Sequence, residues 1–153
     1  LVLLGVTSIG FGLLLFVSDR FGSKQRSLAE MNWKTALLIA VSQVFALIPG
    51  TSRSGITMTA ALFCNLDRAA AARFSFLLAI PIIAASGLLR GIELLHDGTE
   101  SVEWLILLYA IFISAVVAYF CIHYFLQLIK RIGFLPFVIY RVSLGIALIL
   151  LAL

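Results

Sequence analysis

Apolar runs separated by short polar segments predict the architecture of this chain. Residues 1–18, 69–90, 104–128 and 134–153 form four such runs, each close to the roughly 20 residues that a helix needs to cross a bilayer. Residues 35–66 differ, because a polar loop divides them into two arms that are each too short to span. The pattern therefore predicts an all-α integral membrane protein with about four transmembrane helices and one re-entrant helix–loop–helix hairpin.

The charged residues support this arrangement of spans. The segment before the hairpin is basic and so is the end of the third span, whereas residues 91–103 contain four carboxylates and no Lys or Arg. The positive-inside rule then places the basic segments in the cytoplasm and the acidic segment outside. A continuous span through residues 49–55 would instead place the acidic segment inside and the basic end of the third span outside. The residues concerned are Arg20, Lys24, Arg26, Lys34, Lys130 and Arg131 inside, and Glu93, Asp97, Glu100 and Glu103 outside.

Composition excludes a water-soluble domain of this size. The 153 residues are 63% hydrophobic and 12% charged, with a mean hydropathy of +1.16, and we interpret residues 1–153 as a single membrane domain. The net charge of +4 lies in short loops, which favours contact with lipid or an anionic substrate over nucleic acid. Cys64 and Cys121 lie in apolar segments and are interpreted as packing residues. Because the chain starts inside an apolar run, we expect it to be a piece of a longer protein.

The loop between the two arms has the chemistry of an anion site. Pro49 ends the first arm, and two glycines permit the tight backbone that anion-binding turns require. The second arm then begins with its amides and its helix dipole directed at the loop. An arginine adds a planar fork suited to two phosphate oxygens. The candidate phosphate-binding residues are Gly50, Thr51, Ser52, Arg53, Ser54 and Gly55, with Thr57 one turn further on the face of Arg53.

Other polar residues of the spans leave alternatives open. Arg141 lies about two turns into the last span, where it either pairs with a hairpin carbonyl, a carboxylate outside this sequence or the substrate, or extends back to the inner interface. Gln43 lines the pocket or ties the arms together, and we treat it and Arg141 as secondary candidates. His123 and His96 are interpreted as structural and solvated, respectively. Pro81 should kink the second span or open its hydrogen bonds. The 49–55 loop itself has a simpler interpretation as a solvated surface turn, but its position between two half-length arms favours function.

Four stretches resemble the bacterial undecaprenyl pyrophosphate phosphatase family of the bacitracin-resistance type. They are QVFALIPGTSRSGIT at 43–57, ARFSFLLAIP at 72–81, FLQLIKRIGFLPF at 125–137, and Tyr140-Arg141. The resemblance covers nearly the whole chain from the hairpin onward, and the hairpin motif is quite specific.

The resemblance implies a membrane enzyme and a site. The enzyme would hydrolyse undecaprenyl diphosphate to recycle the cell-wall carrier lipid, in the bacterial cytoplasmic (inner) membrane, with a divalent cation such as Ca²⁺ or Mg²⁺. Its implied fold is an inverted repeat, with two re-entrant hairpins around an outward-facing cavity. Carried over to this chain, the implied catalytic residues are Arg53, Ser52 and Thr57.

One signature of that family does not occur in this sequence. Its glutamate-rich hairpin, with a Glu-x-x-x-Glu pair, has no counterpart on an apolar arm here. The sequence therefore resembles the C-terminal half, with metal ligands expected on a missing N-terminal half and no activity expected from this part alone. The sequence also leaves open whether the protein forms a homodimer. The charge pattern predicts that the hairpin enters the membrane from the cytoplasm, whereas the resemblance implies a catalytic site that faces outward. A hairpin tip at mid-membrane, in a cavity open to the outside, would reconcile the two.

Two other classes of protein compete with the phosphatase. A transporter or lipid flippase also holds anions between half-length helices near mid-membrane. A purely structural membrane subunit would tolerate any change at Arg53. Release of phosphate from a lipid diphosphate would distinguish the enzyme from a transporter or flippase.

Overall fold

The computed structural model describes residues 1–22, 25–96 and 104–152. These residues form six α-helices and no β-strand; the only strand-like contact among them is an isolated bridge between Arg26 and Leu66. Short 3-10 turns occupy Leu28–Glu30 and Gln43–Leu47. The α-helices are Val2–Phe21 (α1), Trp33–Ser42 (α2), Arg53–Phe63 (α3), Arg68–His96 (α4), Trp104–Ile132 (α5) and Leu135–Leu150 (α6).

Each of the four predicted spans corresponds to a helix. Among the described residues, α1, α4 and α5 are long and apolar enough to cross a membrane. α6 has 16 residues, fewer than a straight span requires, so the fourth span stays a prediction. Of the predicted outer acidic segment, Asp97, Glu100 and Glu103 lie outside the described residues, as does Lys24 of the basic segment. Glu93 belongs to α4, which extends six residues beyond the predicted end at residue 90.

α1 and α6 pack against each other through small residues. A Cβ on Gly5 would lie 2.7 Å from the Gly145 carbonyl oxygen, and a Cβ on Gly145 would lie 2.8 Å from the Gly5 oxygen. Ser8 donates to the Arg141 carbonyl at 3.3 Å, and Gly12 faces the Cβ of Arg141. Small residues allow helix backbones in membranes to approach closely, where van der Waals packing rather than hydrophobic burial holds helices together.

The two arms of the hairpin differ from their predicted bounds. The first arm was expected to be helical to residue 48, but α2 ends at Ser42 and a 3-10 turn continues to Leu47. The second arm was expected to start at residue 56, but α3 starts at Arg53, because Ser52 caps it by accepting from the Gly55 amide at 3.2 Å. Three residues assigned to the loop therefore form the first turn of a helix.

Asp19 joins three helices at the end of α1. Its carboxylate accepts from Arg68 Nε at 2.6 Å and from Arg68 Nη2 at 2.9 Å, at the start of α4. It also accepts from the Phe134 amide at 3.3 Å, at the start of α6. The Asp19 side chain is 11% exposed and that of Arg68 is 31% exposed. Asp67 accepts from the Ala70 amide at 2.7 Å and caps α4.

We expect Asp19→Asn to lower the free energy of unfolding by about 1–2 kcal/mol, since the bidentate pair and its charge are lost while Arg68 stays half-buried. The matched control is Glu93→Gln, which breaks an Arg90–Glu93 pair whose side chains are 82% and 57% exposed and should cost under about 0.5 kcal/mol. Chemical unfolding in detergent measures both. Equal stability of the two variants would contradict a structural role for Asp19.

The buried core is small and lies near Asp19. Leu62, Leu66, Ile129 and Phe134 are almost fully buried there, from four different segments. In contrast, the C-terminal half of α4 and nearly all of α5 expose large apolar side chains. Exposed apolar surface of this extent is typical of a chain that packs against lipid or further membrane helices.

Candidate functional site

The turn at the hairpin tip is held against α1. Gly50 has a φ of +90°, which glycine adopts without strain, and a Cβ at this position would collide with Thr7 and Leu4. Thr7 Oγ1 donates to the Pro49 carbonyl at 2.7 Å. The Thr51 hydroxyl donates to the carbonyls of Phe45 and Ile48. Gly50 and Thr51 therefore shape the turn, and the Thr51 hydroxyl is directed at the first arm.

The N-terminus of α3 is open for a ligand. Ser52 accepts from the Gly55 amide, and its oxygen lies 3.2 Å from the Ser54 hydroxyl. The amides of Arg53 and Ser54 have no hydrogen-bond partner in the described part of the chain. Unpaired amides at a helix start, together with the helix dipole, favour an anion.

Arg53 is oriented by two neutral acceptors. Its Nε donates to Gln43 Oε1 at 2.7 Å, and its Nη2 donates to the Leu78 carbonyl at 2.9 Å. The side chain is half-buried, and no carboxylate among the described residues pairs with it. Its position is therefore fixed while its positive charge is not neutralised, so the guanidinium can bind an anion through its remaining donors.

The Leu78 carbonyl was not among the predicted site groups. Pro81 lies three residues later in α4, but its missing N–H leaves the Leu77 carbonyl, not that of Leu78, without a helical donor. The sequence predicts a kink or an opening of the helical hydrogen bonds at Pro81, but nothing in the pattern indicates that Arg53 donates to the Leu78 carbonyl. α4 remains helical through Pro81.

A cavity of about 350 Å³ adjoins Arg53. Ser52, Arg53 and Ser54 line one side, and Ser75, Phe76 and Ala79 of α4 line the other. Ser75 was not singled out from the sequence, although it lies in one of the four resembling stretches. The cavity therefore brings together three of the predicted residues.

Thr57 lies beneath this cavity rather than in its wall. It is 1% exposed, and its hydroxyl lies 2.6 Å from the Ser75 hydroxyl and donates to backbone carbonyls of α3. The hydroxyl pair joins α3 to α4, so Thr57 supports Ser75. Gly55 contributes its amide to the Ser52 cap and does not line the cavity.

The other residues singled out from the sequence neither bond Arg53 nor line the cavity beside it. Arg141 lies on α6 against Gly12, and its guanidinium has no hydrogen bond or ion pair among the described residues. His123 is exposed and bonds Gln127 one turn away at 2.8 Å, and His96 is exposed at the end of α4. Cys64 is half-buried and Cys121 is exposed.

The cavity beside Arg53 does not have the ligands of a divalent cation. Its polar lining is an arginine and three hydroxyls, whereas Ca²⁺ and Mg²⁺ prefer carboxylates. In the described part of the chain, no three His, Cys, Asp or Glu side chains come together as a metal site. The arrangement is chemically suited to holding a phosphate group, with one cation, free amides and hydroxyls around it.

Comparison with known proteins agrees with the motifs. The family model for "Bacitracin resistance protein BacA" matches residues 1–147. An undecaprenyl-diphosphatase of Hahella chejuensis is 55% identical over 148 residues, covering 97% of this chain and 55% of that protein. Undecaprenyl-diphosphatase 1 of Pseudoalteromonas translucida is 52% identical over 146 residues, covering 95% and 54%. The chain thus spans about half the length of the curated relatives that it matches.

Proposed function

The chain belongs to the BacA bacitracin-resistance family, and on that premise we propose that it supplies the phosphate-binding part of an undecaprenyl-diphosphate phosphatase. The lipid product would return to cell-wall synthesis as carrier lipid. The proposal is supported by relatives named undecaprenyl-diphosphatase and by the chemistry of the cavity. The location we propose is the bacterial cytoplasmic (inner) membrane, with several spans.

One observation carries the proposal: Arg53 is held by two neutral acceptors and by no carboxylate of the described residues. A structural arginine at membrane depth would be expected to have a counter-ion, because an unpaired buried charge is costly. A lipid diphosphate is an anion whose apolar tail keeps it in the membrane. Its headgroup would complete the charge balance at Arg53.

Each part of the site has a role in this proposal. Arg53 binds oxygens of the diphosphate and offsets the charge on the transferring phosphoryl group. The free amides of Arg53 and Ser54 bind further oxygens at the start of α3, and the Ser52 and Ser54 hydroxyls add donors. Ser75, whose hydroxyl is bonded to that of Thr57, lines the opposite wall. Positioning and charge stabilisation account for most of the catalysis in phosphoryl transfer.

We propose that residues 35–66 re-enter the membrane. The base of the hairpin lies at the end of α1, where Gly22 faces the Leu62 carbonyl, and its tip bonds Thr7 through Pro49. Between residues 7 and 22 a helix rises about 22 Å, most of a hydrocarbon core of about 30 Å. A hairpin entering at the basic end of the helices would then place its tip in the outer half of the membrane. This depth supports an outward-facing site.

Further groups of the proposed enzyme would come from outside this chain. A divalent cation, if the enzyme uses Ca²⁺ or Mg²⁺, needs carboxylates that the Arg53 cavity lacks. We propose that a second half, related to this one as an inverted repeat, supplies them, and that this part alone is inactive. The exposed faces of α4 and α5 leave room for such a half or for a second copy of the protein.

Phosphate release from undecaprenyl diphosphate by the complete natural protein tests the function. We expect release with Ca²⁺ or Mg²⁺ present and its loss on chelation. A transporter or flippase would instead move the intact diphosphate across a vesicle membrane without release. Transport without hydrolysis would overturn the proposal.

Gln43→Leu tests how Arg53 is positioned. We expect kcat/KM to fall about 10-fold or more, because a hydrogen bond to a charged group is lost and the guanidinium is freed. Gln43→Glu keeps an acceptor but adds a negative charge beside Arg53, so KM for the diphosphate should rise. Gln127→Leu, which removes the exposed partner of His123, is the control. A normal KM in Gln43→Glu would rule out an electrostatic link to the substrate.

A further inference from the structure

A second cavity lies at the opposite end of the hairpin from Arg53. It is an open cavity of about 480 Å³, lined by the first turns of α4, the last turn of α5 and the segment between α1 and α2. It shares no lining residue with the cavity beside Arg53. Its volume lies in the range of small-molecule sites.

The charged groups that line this cavity are Asp67, Arg68, Arg73 and Lys130. Arg68 is paired with Asp19, and Asp67 is directed at the Ala70 amide as the cap of α4. In the described part of the chain, Arg73 and Lys130 make neither an ion pair nor a side-chain hydrogen bond. After these pairings the lining retains one net positive charge, from two cations against the Asp67 carboxylate.

We propose that this cavity binds the phosphate of an anionic membrane phospholipid. Arg73 on α4 and Lys130 on α5 approach it from two helices, and a phosphodiester carries the single negative charge that would balance the lining. Basic pockets between membrane helices, on the side where basic residues cluster, are suited to anionic headgroups. The site assigns a binding role to a pair of cations that the phosphatase proposal does not use.

The apolar parts of the cavity favour a lipid over free phosphate. Leu28, Ala69 and Ala70 form its apolar wall, and α5 next to it is exposed along nearly its whole length. Acyl chains attached to the bound phosphate would extend along this apolar surface. Free phosphate has no apolar group that could contact this surface. A headgroup held by Arg73 and Lys130 would also join α4 to α5.

Retention of radiolabelled phosphatidylglycerol by the complete natural protein in detergent, measured after gel filtration, tests the proposal. We expect Arg73→Gln/Lys130→Gln to weaken retention about 25-fold, about five-fold for each cation. The matched control is Lys34→Gln/Arg90→Gln, which removes the same charge from exposed side chains outside the cavity. Phosphatidylcholine and inorganic phosphate serve as competitors.

The outcomes separate a specific lipid site from its alternatives. Retention that survives the control double variant but not the cavity variant supports the site. Equal loss of phosphatidylglycerol retention in both double variants would mean that only net charge matters, and it would overturn the proposed site. Competition by phosphatidylcholine as strong as that by unlabelled phosphatidylglycerol would also overturn it. Displacement by equimolar inorganic phosphate would overturn the lipid assignment in favour of a free-anion site. None of these results depends on phosphatase activity, so the phosphatase proposal is tested separately.

Discussion

Replacing Arg53 by Ala should lower kcat/KM for undecaprenyl diphosphate at least about 100-fold in the complete natural protein, because a preorganised charge donor is lost from the phosphate site. Arg53 is held in place by Gln43 and by the Leu78 carbonyl before any ligand arrives. Its contribution therefore requires no reorganisation when the substrate binds. Steady-state phosphate release measures the effect.

Arg53→Lys distinguishes charge from geometry. A lysine keeps the positive charge but lacks the planar fork, so it cannot bond both acceptors and two phosphate oxygens together. We expect activity between that of the wild type and that of Arg53→Ala. Arg90→Ala, at a side chain that is 82% exposed, controls for loss of charge. Because Arg53→Ala also leaves two acceptors without a donor, the unfolding transition of each variant must be measured. Full activity in a folded Arg53→Ala would refute the proposed role.

The sequence predicted the helices well because their signal is local. A run of about 20 apolar residues has few other solutions in a membrane, so the positions of α1, α4 and α5 followed from composition and length. The turn at Gly50 followed from proline and glycine chemistry. The start of α3 was three residues off because the serine that caps it was assigned to the loop.

The details of the site were less predictable because they depend on contacts between helices. Nothing in the local pattern states that the Leu78 carbonyl accepts from Arg53, or that Thr57 bonds Ser75 without lining the cavity itself. Which carbonyl of α4 accepts from Arg53 depends on how α4 packs on α3, and that packing is not written in the local sequence. The role of Asp19 was similarly hidden, since its partners Arg68 and Phe134 are remote in sequence.

Two glycines on α1 should respond to alanine with opposite signs. A Cβ on Gly10 would meet nothing within 4 Å, so Gly10→Ala should stabilise the helix by about 0.5–1 kcal/mol. A Cβ on Gly5 would lie 2.6 Å from Ile149 Cγ1 and 2.7 Å from the Gly145 carbonyl oxygen. Ile149 can change rotamer, but the carbonyl is backbone. Gly5→Ala must therefore separate α1 from α6, and we expect a loss of about 2 kcal/mol from overpacking. Unfolding in mixed detergent and sodium dodecyl sulfate measures both variants.

A double variant tests whether Gly5 and Gly145 share one close contact. Gly145→Ala alone should also destabilise, since its Cβ would lie 2.8 Å from the Gly5 carbonyl oxygen. Once either alanine has moved the helices apart, the second has more room and should cost less. Gly5→Ala/Gly145→Ala is then expected to lose less stability than the two single losses added together, because the two sites share one contact and are not independent. Strict additivity would mean that the glycines act independently, and a stabilised Gly5→Ala would show that α1 and α6 do not pack this closely.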